Sequence, residues 1–282
     1  MSILEAIILG IVQGLTEFLP VSSTAHLTIT GKIMGLINAN KPEEWTAIIA
    51  IIQLGTLVSI LVYFGKDIYN IVIEFFRDNL IERKGYRQQS LNSRLGWLVI
   101  IGTIPVVIVG LGFKDIIEGA FTKNLYVIAT SLIVLAIILF IAEKTAKFDK
   151  KIEDVGIWDA IVVGIAQAFA LIPGSSRSGT TITGGLFMGL NREAAARFSF
   201  LLSIPAILAS GLLQLKEGLE FLNQDHLIAV AVATVVSGVS GYLAIDFLLK
   251  FLRKNSTNLF IVYRIVAGLI ILALLFSNTI TP

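Results

Sequence analysis

The 282-residue chain has no cysteine, so it can form neither a disulfide nor a thiolate metal site. Any metal it holds must use oxygen or imidazole ligands, which favours a hard cation such as Mg²⁺ or Ca²⁺. Charge is scarce as well. Charged residues make up 15% of the chain, against about 25% in a soluble domain. The formal net charge of +2 is too small to argue for a nucleic-acid partner. No Lys/Arg cluster opens the N-terminus, and Glu5 interrupts its apolar run early, so the first residues are expected to belong to the mature fold rather than to a signal peptide. Hydrophobic residues account for 55% of the chain, and the mean hydropathy is +0.84. Long apolar blocks separated by short charged ones are the pattern of a membrane protein.

Six blocks, roughly 45–64, 95–112, 124–142, 194–215, 227–249 and 258–276, are long enough to cross ~30 Å of hydrocarbon as helices. Two further segments, 3–36 and 158–190, are apolar at both ends and broken in the middle by Pro, Ser, Thr and Gly. Irregular backbone is not tolerated against lipid, so each break must be buried in protein or line a wet cavity. The pattern predicts a re-entrant helix pair in each segment; two short spanning helices are the competing arrangement. The stretch 65–94 mixes charge with Ile68, Ile71, Val72, Phe75 and Phe76. It reads either as an interfacial amphipathic helix or as a solvated loop.

The two broken segments resemble one another. With Pro20 set against Pro173, Ser22 meets Ser175, Ser23 meets Ser176, and Thr28-Ile29-Thr30-Gly31 meets Thr181-Ile182-Thr183-Gly184. Each half is then one broken segment followed by three spans. The odd number inserts the second half upside down, as in many transporters. The expected fold is therefore an all-α polytopic membrane protein with an inverted-topology repeat, each half a re-entrant helix pair plus three transmembrane helices. It forms one domain, 1–282, with repeats at about 1–145 and 155–282. The loops 65–94, 143–157 and 250–257 carry six, four and three basic residues. The opposite side has Lys32, Lys41, Lys114, Lys123 and Lys216. The positive-inside rule makes the first side cytoplasmic and puts both termini outside. The two polar tips then approach each other from opposite faces.

The first break carries Gln13 and Glu17 on one helix face, then Pro20, then Ser22, Ser23, Thr24 and His26. A carboxylate, an imidazole and hydroxyls in a membrane segment are costly to bury unless used. Ser22 and Thr24 are candidates to bind a phosphate at the start of the next helix or could equally be satisfying freed carbonyls, and Gln13 could be an interhelical hydrogen-bonder. The second break, Pro173-Gly174-Ser175-Ser176-Arg177-Ser178-Gly179-Thr180-Thr181, joins small residues and hydroxyls to one guanidinium. Gly174, Ser175, Ser176, Ser178 and Thr181 with Arg177 make an oxyanion site suited to phosphate or carboxylate. The blander reading makes Arg177 only the counter-ion of Glu17. Elsewhere in the spans, Asp246 and Arg264 are expected to pair with each other, Arg197 to sit low in its helix near the cytoplasmic surface, and Asp159 to favour a helix start.

The stretches 13–26 (QGLTEFLPVSSTAH) and 173–181 (PGSSRSGTT) resemble the two signature motifs of the bacitracin-resistance family of undecaprenyl-diphosphate phosphatases. The resemblance covers essentially the whole chain. In the first motif, Gln13 stands where many members have a second carboxylate. The resemblance implies hydrolysis of undecaprenyl diphosphate to undecaprenyl phosphate and phosphate. That reaction recycles the carrier for peptidoglycan synthesis and confers bacitracin resistance. It also implies a divalent cation, Mg²⁺ or Ca²⁺, near Glu17 and Gln13, and a site facing outside. A diphosphate on an isoprenoid tail asks for charge neutralisation, which Arg177, the hydroxyls and the metal provide, and for a lipid-facing groove. Membrane lipid and the polyprenyl diphosphate are the expected partners, and a homodimer is compatible with the sequence. For the attacking group the residues offer three arrangements: Ser23 with His26 as base, His26 as nucleophile, or His26 as base for a water. The rival function is a secondary transporter or lipid flippase. Such a protein would use Arg177 and the helix N-termini but has no use for a nucleophile–base pair. A purely anchoring role leaves Glu17 and Arg177 unexplained.

Overall fold

The computed structural model describes residues 1–37, 42–113, 124–218 and 224–280. Eleven α-helices run through them. They are α1 (Ile3–Phe18), α2 (Ser23–Ile33), α3 (Pro42–Tyr63), α4 (Gly65–Phe76), α5 (Leu91–Gly112) and α6 (Leu125–Thr145). After these come α7 (Ile157–Ala168), α8 (Arg177–Phe187), α9 (Arg192–Gly218), α10 (Gln224–Leu252) and α11 (Asn258–Phe276). Six of them, α3, α5, α6, α9, α10 and α11, are long and apolar enough to cross a membrane. Their bounds follow the six apolar blocks closely. Lys41, Lys114 and Lys123, counted among the outer basic residues, lie outside the described residues, and so does the side chain of Lys216.

The two broken segments become α1–α2 and α7–α8. With 16, 11, 12 and 11 residues, these helices are about 16–24 Å long, each shorter than the hydrocarbon core. Local chemistry sets their ends. Ser2 Oγ accepts from the Glu5 N–H at 3.3 Å, and Glu5 accepts from the Ser2 N–H at 2.6 Å, closing a capping box. At the start of α7, Asp159 makes one half of such a box, accepting from the Gly156 N–H at 2.8 Å, and also pairs with Lys150 at 2.9 Å. Pro20 and Pro173 force Leu19 and Ile172 into extended conformations, which ends the helices ahead of them.

The breaks share a backbone frame, but not in the register that the matching prolines suggest. Ser22 caps α2 at φ 76°, and Ser176 caps α8 at φ 67°. The equivalent residues are thus Ser22 and Ser176, and the first helical residues are Ser23 and Arg177. The Ser-Ser and Thr-Ile-Thr-Gly matches are each one residue out of step. Upstream, α7 gives way to a 3₁₀ turn, Phe169–Leu171, which climbs faster per residue and reaches its proline one residue early. Gly174, at φ 86°, is the extra residue on the far side. At their C-terminal ends, α2 and α8 close alike on Met34-Gly35-Leu36 and Met188-Gly189-Leu190.

Each broken pair leans on a span of the other half. α1 packs on α10, where Ser240 Oγ donates to the Gly10 carbonyl at 3.2 Å. α7 packs on α5 so closely that a Cβ on Gly164 would lie 2.3 Å from the Gly102 carbonyl oxygen. The largest core cluster joins Phe18, Phe64, Phe198 and Phe200 around the first break, with Phe18 edge-on to Phe200 at 5.4 Å.

Part of the 65–94 stretch is helical. α4 lays Ile71 and Phe75 against Gly96 of α5 and leaves Tyr69, Val72, Ile73 and Phe76 exposed. Beyond it, Asp78 is fully buried, accepting from the Ser90 N–H at 2.7 Å and from Lys84 at 3.2 Å. The Ser90 amide is the main cause that holds the Asp78 carboxyl down to about 2.

The expected Asp246–Arg264 pair does not form. Asp246 accepts from Lys250 at 2.7 Å and from Tyr63 at 3.3 Å, one helical turn away on α10 and across on α3. Arg264 faces the other way, into the protein. Arg197 pairs with Asp67 at 2.7 Å, beside the start of α4.

Candidate active site

The two breaks touch. Arg177 Nη2 donates to Glu17 Oε1 at 2.5 Å, and Ser178 Oγ donates to the Leu19 carbonyl at 3.1 Å. Glu17 is buried near the end of α1 and gathers four donors. Gln13 (3.0 Å) and Ser23 (2.8 Å) share Oε2, while Gln53 of α3 (3.0 Å) and Arg177 share Oε1. Ser23 and Arg177 are the first helical residues of α2 and α8, so both helix starts hold one carboxylate. Arg177 also donates to the Ser203 carbonyl of α9 at 3.3 Å.

Most hydroxyls predicted to bind phosphate instead build this frame. Ser22 and Ser176 cap their helices through Ala25 (3.4 Å) and Gly179 (3.2 Å). Thr181 donates to the Arg177 carbonyl at 2.7 Å and meets Ser199 at 2.5 Å. Gly174 lies against α6, where a Cβ would meet the Ile128 carbonyl at 2.3 Å, and Ser131 donates to the Pro173 carbonyl. Thr24 is exposed, and Ser175 Oγ is buried with no partner among the described residues. The leading N–H groups of both helices, at Ser23 and Thr24 and at Arg177 and Ser178, have no intrahelical acceptor. Two helix starts brought together in this way favour an anion.

His26, on the first turn of α2, places Nδ1 2.7 Å from the Ser22 carbonyl oxygen. A carbonyl only accepts, so Nδ1 carries a proton, and in the neutral imidazole Nε2 then holds a lone pair. That lone pair faces the hydroxyl of Tyr263 on α11 at 2.5 Å, and the two rings stack at 5.6 Å. Ser23 and His26 do not bond each other: the Ser23 hydroxyl is turned to Glu17. Tyr263 and Gln53 are site residues that sequence reasoning missed. Both lie in long spans whose apolar pattern hides a single polar face.

The geometry around Glu17 and Gln13 does not suit a divalent cation. A carboxylate has about four lone-pair positions, and four protein N–H and O–H donors take them up. Gln13 turns its amide N–H, not its oxygen, to Glu17. No group of three His, Asp or Glu gathers among the described residues, at Glu17 or elsewhere. In this arrangement the side chains do not form a ready-made Mg²⁺ or Ca²⁺ site.

The family model described as bacitracin resistance protein BacA matches residues 6–270. A protein named undecaprenyl-diphosphatase from Syntrophobacter fumaroxidans is 54% identical over 278 residues, covering 99% of each chain. Its namesake from Myxococcus xanthus is 49% identical over all of this chain and 92% of its own. A third, from Chloroherpeton thalassium, is 50% identical over 98% of this chain and 97% of its own. The match runs through both breaks, the Glu17–Arg177 contact and His26, and the chain belongs to the BacA bacitracin-resistance family.

Proposed function

We propose that this protein is an undecaprenyl-diphosphate phosphatase, releasing phosphate and undecaprenyl phosphate. The observation that carries the reading is the Arg177–Glu17 contact, which ties the N-termini of two helices to one carboxylate, with His26 on the first turn of one of them. The terminal phosphate rests on the leading N–H groups of α2 and α8 and on Arg177. His26 Nε2 takes the proton of the attacking group once the substrate has displaced the Tyr263 hydroxyl. The Ser22 carbonyl keeps the imidazole in the tautomer this requires. Ser23 is read as a positioning donor, since its hydroxyl is already held by Glu17. Transport alone has no use for a base at His26, which disfavours the transporter or flippase reading.

The product recycles the lipid carrier for peptidoglycan synthesis, and abundance of the enzyme gives bacitracin resistance. We place both termini outside, α1–α2 and α7–α8 as re-entrant pairs in inverted orientation, and the site open to the outer face of the cell membrane. The exchanged packing of α1 on α10 and α7 on α5 supports the inverted repeat. A homodimer is compatible with this topology. Mg²⁺ or Ca²⁺ is proposed as a companion of the diphosphate, held by its phosphate oxygens rather than by a prepared protein site. Because the chain lacks cysteine, single cysteines at Ser2 and Asn278 report the side of each terminus by impermeant labelling; protection of either in intact cells contradicts the orientation.

The enzymatic test is phosphate release from a polyprenyl diphosphate by the purified protein in detergent, with and without chelator. Release is expected with added Mg²⁺ or Ca²⁺. It is expected to fall to background in His26→Ala and Arg177→Ala. Absence of release under every condition rejects the reading, and full release by both variants rejects the site.

A further inference from the structure

Arg264 lies on α11, next to Tyr263, with its side chain wholly out of solvent. A buried guanidinium without a carboxylate is expensive. Among the described residues Arg264 has no acidic partner. Its Nη2 donates to the carbonyls of Ser175 at 2.8 Å and Gly174 at 3.5 Å. Its Nε and Nη1 meet no acceptor. Nη1 lies over the first turn of α8, where a Cβ on Gly179 would come within 2.6 Å of it. Gly179 leaves the room that the guanidinium occupies.

Charge balance gives this arrangement a purpose. Arg177 is cancelled by Glu17 at 2.5 Å, so the pair offers a diphosphate hydrogen bonds but no net charge. Arg264 is not cancelled. It sits behind the second break, in an interior where an uncompensated charge is felt over a longer range than in water. Its hold on the Ser175 carbonyl also sets the next peptide. In a trans peptide the N–H points opposite to the C=O, so the Ser176 N–H is directed away from Arg264.

We propose that Arg264 supplies the uncompensated positive charge of the site and positions the Gly174–Ser176 backbone, drawing the doubly phosphorylated head group to the start of α8. It acts through the loop and does not touch the substrate. The inference rests on the diphosphate reading and names the group that tells a diphosphate from a monophosphate.

The test uses two probes with the same farnesyl tail, a methylene bisphosphonate and a monophosphonate, bound to the purified full-length protein and followed by calorimetry. The wild type is expected to prefer the bisphosphonate. Arg264→Gln keeps an N–H for the Ser175 carbonyl but loses the charge, and its preference should shrink about tenfold, whereas Arg264→Lys should stay within about threefold of wild type. A merely structural role would weaken both probes alike. No preference in the wild type, or an unchanged preference in Arg264→Gln, overturns the proposal. If Arg264→Gln does not stay folded, ¹⁵N-arginine NMR of the wild type decides. The Arg264 Nε signal, identified by its loss in Arg264→Lys, should move with the bisphosphonate, and a signal that stays still overturns the proposal. Phosphate release is measured alongside. Release with no charge preference rejects the role of Arg264 alone, and an intact preference without release rejects the phosphatase reading alone.

Discussion

The first and second breaks have one backbone frame and almost opposite contents. Both are capped by a serine at positive φ, and both second helices close on Met-Gly-Leu. In the structural register, Glu17 corresponds to Leu171, Ser23 to Arg177, and His26 to Thr180. The buried glutamines show the division most plainly. Gln13 donates to Glu17 at 3.0 Å, while Gln167, its counterpart on α7, has neither amide atom partnered. A repeated frame fixes where helix starts meet; the side chains then divide the chemistry, and neither break is a site without the other.

Arg177→Lys bears hardest on that division. An ammonium cannot reach Glu17 and the Ser203 carbonyl with a planar fork, so phosphate release should fall by about 100-fold or more. Near-normal turnover would reduce Arg177 to a point charge. Ser23→Ala removes the equivalent donor from the first break and should cost about tenfold in kcat. Loss to background with binding intact would instead make Ser23 the nucleophile. The glutamines should answer the same substitution with opposite signs in thermal unfolding. Gln13→Leu strips Glu17 of a donor and should destabilise by about 1–3 kcal/mol, and Gln167→Leu removes a buried unsatisfied amide and should stabilise by about 1 kcal/mol. Equal signs would mean that Gln167 is satisfied by water. The smallest effects belong to the shared frame. Gly35 (φ 66°) and Gly189 (φ 87°) both occupy the left-handed region, so alanine should cost about 1 kcal/mol at each. A clearly larger loss at Gly189 would point to Asp149 Oδ1, which lies 2.9 Å from the added Cβ.

The six spans, the two breaks and the residues around Glu17, His26 and Arg177 were legible because polar groups in an apolar chain stand out by their cost. The likeness of the two breaks was legible too, but its register was not. Pro-x-Ser-Ser draws the eye, while a 3₁₀ turn before Pro173 and Gly174 after it shift the frame and restore it. The better register is present upstream, where Ile3, Ala6, Ile7, Gly10, Ile11 and Gln13 match Ile157, Ala160, Ile161, Gly164, Ile165 and Gln167. Asp246 and Arg264 misled because opposite charges in adjacent spans invite pairing, and only the rotation of each helix about its axis shows that they face apart. Tyr263 and Gln53 were hidden for the same reason.

Glu17 joins α1, α2, α3 and α8 at a single carboxylate. Its four donors therefore form one coupled unit rather than four independent contributions. Lesions in Gln13, Ser23, Gln53 and Arg177 should combine less than additively, because the first to loosen the carboxylate also weakens what the others hold. A double-mutant cycle across Ser23 and Arg177 would then measure a coupling between two helices that share a carboxylate belonging to neither.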